Sequence, residues 1–155
     1  VKRVLFGPPP VPDEVSAPHW RAASEGRLIV QRCDDCHAFV WLPAPVCPHC
    51  FSSAVRWVDS PGTGQVHTYT VIHRPPNPGT PTPYVVAVVE LDEGWYMLTN
   101  IVDCGPDEVH TGMRVVATFE KLDADIGLAM FRPTITGSAE EQAAGVAGRS
   151  RAAST

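Results

Sequence analysis

Two short cysteine pairs constrain this chain more than any other feature. They are Cys33-Asp34-Asp35-Cys36 and Cys47-Pro48-His49-Cys50, and ten residues separate them. Two intervening residues let both thiolates of a pair point at one ion. Ten residues between the pairs suit a short hairpin that returns the second pair to the first. Four thiolates complete a tetrahedral shell and leave no position for a substrate water. Sulfur ligands favour zinc or iron over magnesium or calcium. Rubredoxin-type iron uses the same ligand set, and zinc is the expected occupant. The expected role is structural, because a ribbon of about 25 residues buries too little apolar surface to fold alone. Metal binding supplies the missing stabilisation. A redox reading of C-x-x-C explains one pair and leaves the other idle.

The fifth cysteine, Cys104, sits in Asp103-Cys104-Gly105-Pro106, a loop pattern with no general base beside it. It reads as a spare thiol. His37 and His49 read as surface side chains around the knuckles or as hydrogen-bond donors to the metal's ligands. An odd cysteine count with two close pairs points to metal in a reducing compartment rather than to disulfides.

The chain has 155 residues, 44% of them hydrophobic, so one ordinary domain or two small ones with a packed core are within reach. Pro 16 and Gly 12 favour turns and short strands over a helical bundle. The formal net charge of -5 argues against a surface built to hold nucleic-acid phosphates. No apolar run reaches the ~20 residues that span a bilayer. The first residues are too short in apolar content for a secretory signal, which suggests the cytoplasm. Val1 in place of Met suggests a processed chain or a domain cut from something longer.

Along the chain, residues 1–15 read as an extended Pro-rich arm. Ser16 is placed to cap a short helix through Trp20, Ala22 and Ala23, which Gly26 ends. Strands are expected at Arg27–Arg32, Ala38–Leu42 and Val55–Val58, and residues 16–60 form the helix-plus-ribbon unit. Asp59–Gly64 reads as a linker or turn. Gln65–His73 alternates, with Val66, Thr68, Thr70 and Ile72 on one side and His67, Tyr69 and Val71 on the other. The loop from Arg74 to Pro83 holds five prolines and cannot pair as sheet. Tyr84–Leu91 is nearly all apolar, as for a strand covered on both faces. Asp92-Glu93-Gly94 is a tight hairpin into Trp95–Val102. Arg114–Lys121 and Leu128–Phe131 complete five strands. Over 61–133 these suit a small closed barrel, of the OB type first and an SH3-like type second. Residues 134–155 are a small, polar tail.

His73 and Arg74 end the first barrel strand, and Tyr84 closes the loop after it. Together they are candidate contacts for a partner protein or an anionic, flat ligand, weighed against a solvated strand end. Trp41, Trp57, Trp95, Phe39 and Phe51 are candidates for a stacking platform. The plainer alternative places them in the core or in the seam between the two units. No Ser-His-Asp order, phosphate-cradling Gly loop or paired catalytic carboxylates at a recognisable spacing is found.

The order of parts is itself distinctive. The stretches Leu42-Pro43-Ala44-Pro45-Val46-Cys47-Pro48-His49-Cys50, Val71-Ile72-His73-Arg74, Pro83–Leu91 and Leu98-Thr99-Asn100-Ile101-Val102 carry a resemblance. Over residues 16–133 the chain resembles the rubredoxin-like zinc ribbon plus OB-fold acyl-CoA-associated family, long called domain of unknown function 35. The resemblance implies a mainly β fold: a short helix and zinc ribbon, then a five-stranded OB barrel. It implies structural zinc on Cys33, Cys36, Cys47 and Cys50. It implies a non-catalytic accessory subunit in a hetero-oligomer with a thiolase-superfamily, lipid-transfer-protein-like aldolase that cleaves a beta-hydroxyacyl-CoA in steroid side-chain degradation. It also implies a fused or associated hotdog-fold hydratase and acyl-CoA near the interface, with His73, Arg74 and Tyr84 as candidate partner or CoA contacts; charge and hydropathy, as above, leave no nucleic acid or membrane as expected partner. No catalytic residue of the family maps onto the chain. Two alternatives stand beside this one: a nucleic-acid-binding ribbon and OB module, which needs a basic groove, and part of an acyl-CoA hydratase, which needs an acid/base pair.

Overall fold

A computed structural model describes residues 10–74 and 80–134. Most of the arm, the centre of the Pro-rich loop and nearly all of the tail therefore lie outside the described residues. The first element is a helix, α1 (Ala17–Ser24). Ser16 does occupy its N-cap position, but its hydroxyl bonds the Asp13 carboxylate at 2.6 Å and caps no helical N–H. The C-terminal end is better satisfied. Gly26 adopts φ +78°, the Arg27 N–H donates to the Ala22 carbonyl and the Gly26 N–H to that of Ala23. This closes the last turn as a Schellman motif, whose left-handed residue favours glycine.

Next come three strands: β1 (Leu28–Cys33), β2 (Phe39–Val40) and β3 (Val55–Ser60). They form an antiparallel sheet in the order β2-β1-β3. β2 is shorter than the expected Ala38–Leu42, because Trp41 and Leu42 leave the sheet at a bend. β3 is longer than expected and pairs with β1 from Val55–Cys33 to Ser60–Leu28. The anticipated linker at Asp59–Gly64 therefore shrinks to the turn Pro61-Gly62, with strand on both sides.

The remaining strands are β4 (Thr63–Ile72), β5 (Tyr84–Leu91), β6 (Tyr96–Ile101), β7 (Arg114–Lys121) and β8 (Gly127–Pro133). They close into a barrel in the order β4-β5-β6-β8-β7. All pairs are antiparallel except β6 with β8, which meet in parallel at Ile101–Phe131. This Greek-key order is that of the OB barrel. The core is alternate-residue packing: Val66, Val85, Val89, Leu91, Val115 and Phe131 are each almost completely buried. Asp92 clasps the closure. It takes both Arg114 guanidinium nitrogens at 2.7 Å and the Thr63 hydroxyl at 2.7 Å, and Arg114 first and Thr63 second hold its carboxyl down to about 2.

Two strand expectations are corrected here. β4 carries a bulge at His67, between the pairs Val66–Val89 and Thr68–Val88. The extra residue inverts the alternation. Val66 faces in before it, and Val71, opposite Val85, packs on the core after it. Thr68 and Thr70 thus lie on the outside, not on the side of Val66. β5 is covered on one face only: Val85, Ala87, Val89 and Leu91 are buried, whereas Val86, Val88 and Glu90 are half-buried.

The helix is wedged between the units, against β1, β7 and β8. His19, Ala22 and Ala23 face inward, at the i, i+3, i+4 spacing of one helix side. Its last turn rests directly on Gly127, where a Cβ would overlap the backbone of Ala23 and Ser24. Gly127→Ala is accordingly expected to lower stability by about 1–3 kcal/mol. Thermal melting of the zinc-loaded protein checks this; a variant as stable as the parent would show that helix and strand separate without cost.

His19 gives a second, pH-dependent expectation. Burial, opposed by a bond to the Ile29 backbone, holds its pKa below the ordinary 6.5. The unfolded chain therefore binds the proton first. The stability carried by neutral His19 is complete above about pH 6.5 and is lost as pH falls from there toward the lower folded value. Melting curves between pH 8 and pH 5 should show a fall that is shallower in His19→Gln. Parallel curves for the two proteins would refute this linkage.

Candidate metal centre and the adjoining cleft

β1 ends at Cys33, and the chain turns back through Cys36 into β2. The second pair repeats this turn. The His37 N–H donates to the Cys33 carbonyl and the Phe51 N–H to the Cys47 carbonyl, at 3.0 and 2.9 Å. The Cys33 N–H donates to Ala38 and the Cys47 N–H to Ser52. Each knuckle needs a left-handed residue after its second cysteine; His37 (φ 62°) and Phe51 (φ 60°) supply it. The knuckles are thus two copies of one turn facing each other.

All four sulfurs lie within 4.8 Å of one another, with Cys33–Cys50 and Cys36–Cys47 at 3.6 Å. A tetrahedron with Zn–S bonds of ~2.3 Å has edges of ~3.8 Å, so the donor set fits one zinc ion. Cys33 and Cys47 are buried with Val40, while Cys36 and Cys50 are exposed. The Cys36 N–H, aided by that of Asp35, draws the Cys33 thiol down to about 7. The Ser52 N–H lowers Cys50, but Cys36, burial and the other sulfurs outweigh it and push that thiol up to about 12. Negative charge on four sulfurs this close requires a cation among them. Gln31 ties β1 to the segment after β2, its buried side chain accepting from the Ala44 N–H at 2.8 Å.

The aromatic residues divide between core, seam and surface. Trp95 is buried, Trp41 packs on it at 5.5 Å between ring centroids, and His19 meets Trp41 edge-on at 4.8 Å. Phe39 also packs on the barrel core, so Trp41, Trp95 and Phe39 form the seam rather than a stacking platform. Phe51 is exposed at the ribbon tip, and Trp57 is half-buried. His73 and Arg74 lie just beyond the end of β4, both exposed, and Tyr84 opens β5 opposite Ile72. The structure thus brings His73 and Tyr84 to one end of the barrel, and nothing among the described residues there adds a catalytic pair. Burial first, then Glu108 and Asp103, raise the Cys104 thiol, which fits an inert side chain.

A feature that the sequence did not reveal lies beside the seam. β6 and β8 share a single backbone register pair and splay apart before it. The buried Thr99 hydroxyl bridges the gap by donating to the Ala129 carbonyl at 3.1 Å. A cleft of about 550 Å³ opens between them, walled by α1 and the segment 41–43.

Fold and site define a four-cysteine zinc ribbon joined to an OB barrel. Residues 20–56 match the family model of the ChsH2 rubredoxin-like zinc ribbon domain, and residues 57–120 that of the ChsH2 C-terminal OB-fold domain. The chain is 34% identical over 116 residues to a DUF35 domain-containing scaffold protein of Methanocaldococcus jannaschii, covering 73% of this chain and 82% of that one. It is 42% identical over 128 residues to a probable enoyl-CoA hydratase alpha subunit of Thermomonospora curvata. That alignment covers 83% of this chain and 40% of the relative, so the chain spans well under half of that protein. The structure is similar to a chain of the solved Ltp2-ChsH2(DUF35) aldolase, with a TM-score of 0.72 and 43% identity over 80% of this chain and 98% of that one. This chain therefore belongs to the DUF35 family of ChsH2-type zinc-ribbon and OB-fold proteins, and its cofactor is a structural zinc ion.

Purified protein is expected to hold about one zinc per chain, by the one four-cysteine shell among the described residues. Cys36→Ser or Cys47→Ser should release it and unfold the ribbon, whereas Cys104→Ser should leave metal content unchanged. Elemental analysis with circular dichroism decides: full occupancy by iron, or a folded ribbon without metal, contradicts the assignment.

Proposed function

We propose that this chain is a non-catalytic accessory subunit that binds and stabilises a thiolase-superfamily aldolase acting on a beta-hydroxyacyl-CoA, in steroid side-chain breakdown. In this reading Cys33, Cys36, Cys47 and Cys50 hold the zinc. Residues 16–60 and 61–133 work as one scaffold, and His73, Arg74 and Tyr84 lie where partner or CoA comes near. The observation that carries it is the 43% identity to a chain of the Ltp2-ChsH2(DUF35) aldolase, over nearly that chain's whole length.

Chemistry points the same way. A zinc shell closed by four thiolates neither activates water nor polarises a thioester. The cleft is lined by one acid and one imidazole, Asp13 and His19, but the Asp13 carboxylate is taken up by the Ser16 N–H and hydroxyl and His19 is buried in the seam. The outer face of β5 and β6, where OB barrels take their ligands, presents Val86, Val88, Glu90, Tyr96, Leu98 and Asn100. It contains no Lys or Arg. Such a face suits an apolar protein surface and disfavours a phosphate backbone.

The hydratase reading has one observation in its favour, the Thermomonospora curvata relative, of which this chain matches a minor part. One assay separates the two. Beta-hydroxyacyl-CoA cleavage and enoyl-CoA hydration are measured with this chain alone, the aldolase alone, and both mixed. The accessory reading expects no turnover by this chain in either assay, and cleavage that is stable only in the mixture. Hydration by this chain alone, or an aldolase equally active and stable without it, contradicts that reading.

A further inference from the structure

The cleft between β6 and β8 takes no part in the zinc site and opens from the edge of the core, where Met97 and Trp41 belong to both. Its inner surface is aromatic and aliphatic, with Trp20, Trp41, Met97 and Met130 among its lining residues. Its lips are more telling. Val11 is 93% exposed, Leu42 74% and Leu98 67%, and all three line this one opening. They come from three separate places: the segment before α1, the bend after β2, and the outer face of β6. We propose that this cleft is the docking surface for the aldolase partner, which seats a protruding apolar segment, flanked by a basic residue, between Val11, Leu42 and Leu98. The inference rests on the accessory-subunit reading and gives it a location.

Three arguments select this occupant. A small apolar ligand would fill the interior and leave the three lips in water, whereas a protein surface covers both. Desolvated side chains at the centre of a concave patch are where binding energy concentrates. Second, among the described residues Asp13 and His19 are the only ionisable side chains lining the cleft, and His19 is buried. Asp13, bonded through its carboxylate to the Ser16 N–H and hydroxyl, is the charged group at the rim. A partner cation complements it. A second copy of this chain, with net charge -5, would bring acid toward acid. Third, Leu98 lies beside Val88 on the outer barrel face, so the apolar lip continues onto β5, as far as Glu90, rather than ending at the cleft.

The test uses the full, zinc-loaded chain and the source organism's Ltp2-like aldolase, with binding measured by titration calorimetry. Leu98→Glu and Leu42→Glu are each compared with Phe51→Glu, a control at the exposed ribbon tip away from the cleft. Zinc content and circular dichroism confirm that each variant is folded. The expected result is a loss of about 30-fold or more in affinity for the two cleft variants, the range of an interface anchor, with Phe51→Glu unchanged. Asp13→Asn should flatten the salt dependence of association, and a photoactivatable side chain at Leu42 should crosslink to the aldolase. If the parent and all variants bind equally, the location is overturned and the accessory reading stands. If the parent does not bind, both fall. An equal loss in Phe51→Glu, or a Leu42 crosslink to a second copy of this chain, overturns the cleft as the docking surface.

Discussion

Everything in the N-terminal half depends on neutralising four thiolates held within 4.8 Å of one another. The ribbon's own apolar cluster is small: Cys33, Val40 and Cys47, with Ala44 and Val55 against it. Such a cluster cannot offset the entropy of ordering the two knuckles. The metal can, and its influence reaches beyond the sulfurs. The first knuckle delivers β2, β2 delivers Trp41, and Trp41 packs on His19 and Trp95. One wall of the cleft is thus held, through a handful of residues, by a centre that does no chemistry on a substrate.

The barrel solves a different problem. Its five strands bury one face each, and the clasp of Asp92 by Arg114 and Thr63 joins the β5–β6 hairpin to β4 and β7. Closure is complete except where β6 and β8 diverge, and the helix packs beside that gap, on β7 and β8. Gly127 is what lets the helix come that close. The ribbon, helix and barrel therefore share one seam, and the turn Pro61-Gly62 leaves the ribbon little room to swing, since the Gly62 carbonyl accepts from the Ala117 N–H at 2.7 Å.

The cysteine spacing made the zinc site legible from sequence, because two C-x2-C pairs at this distance have few other uses. The barrel strands were legible as well, from Tyr84–Leu91 and Arg114–Lys121 in particular. Less visible was anything set by one inserted residue or by distant pairing. Alternation cannot announce a bulge, so Val66 and Thr68 read as sharing one side of β4, whereas the extra residue at His67 puts them on opposite faces. The apolar outer positions Val86 and Val88 read as buried, since composition does not distinguish an interior from a surface awaiting a partner. The helix α1 itself was readable, through Trp20, Ala22 and Ala23. The Trp41 contact that buries His19 was not, because it joins residues on separate units. The cleft arises from the splay of β6 and β8, which no local pattern encodes.

The parallel pairing of Ile101 with Phe131 also sets an order of events during synthesis. The two cysteine knuckles are neighbours in sequence, so the ribbon can close as soon as it leaves the ribosome. The barrel cannot. Its third strand waits for its fifth, and the first, β4, for β7, so closure has high contact order and comes late. Until then the sheet of β4, the Val-rich β5 and β6 has both its edges, β4 and β6, unpaired, the state most open to mispairing with another chain. A metal-locked, already folded ribbon joined to β4 by a two-residue turn gives that nascent sheet a fixed starting strand.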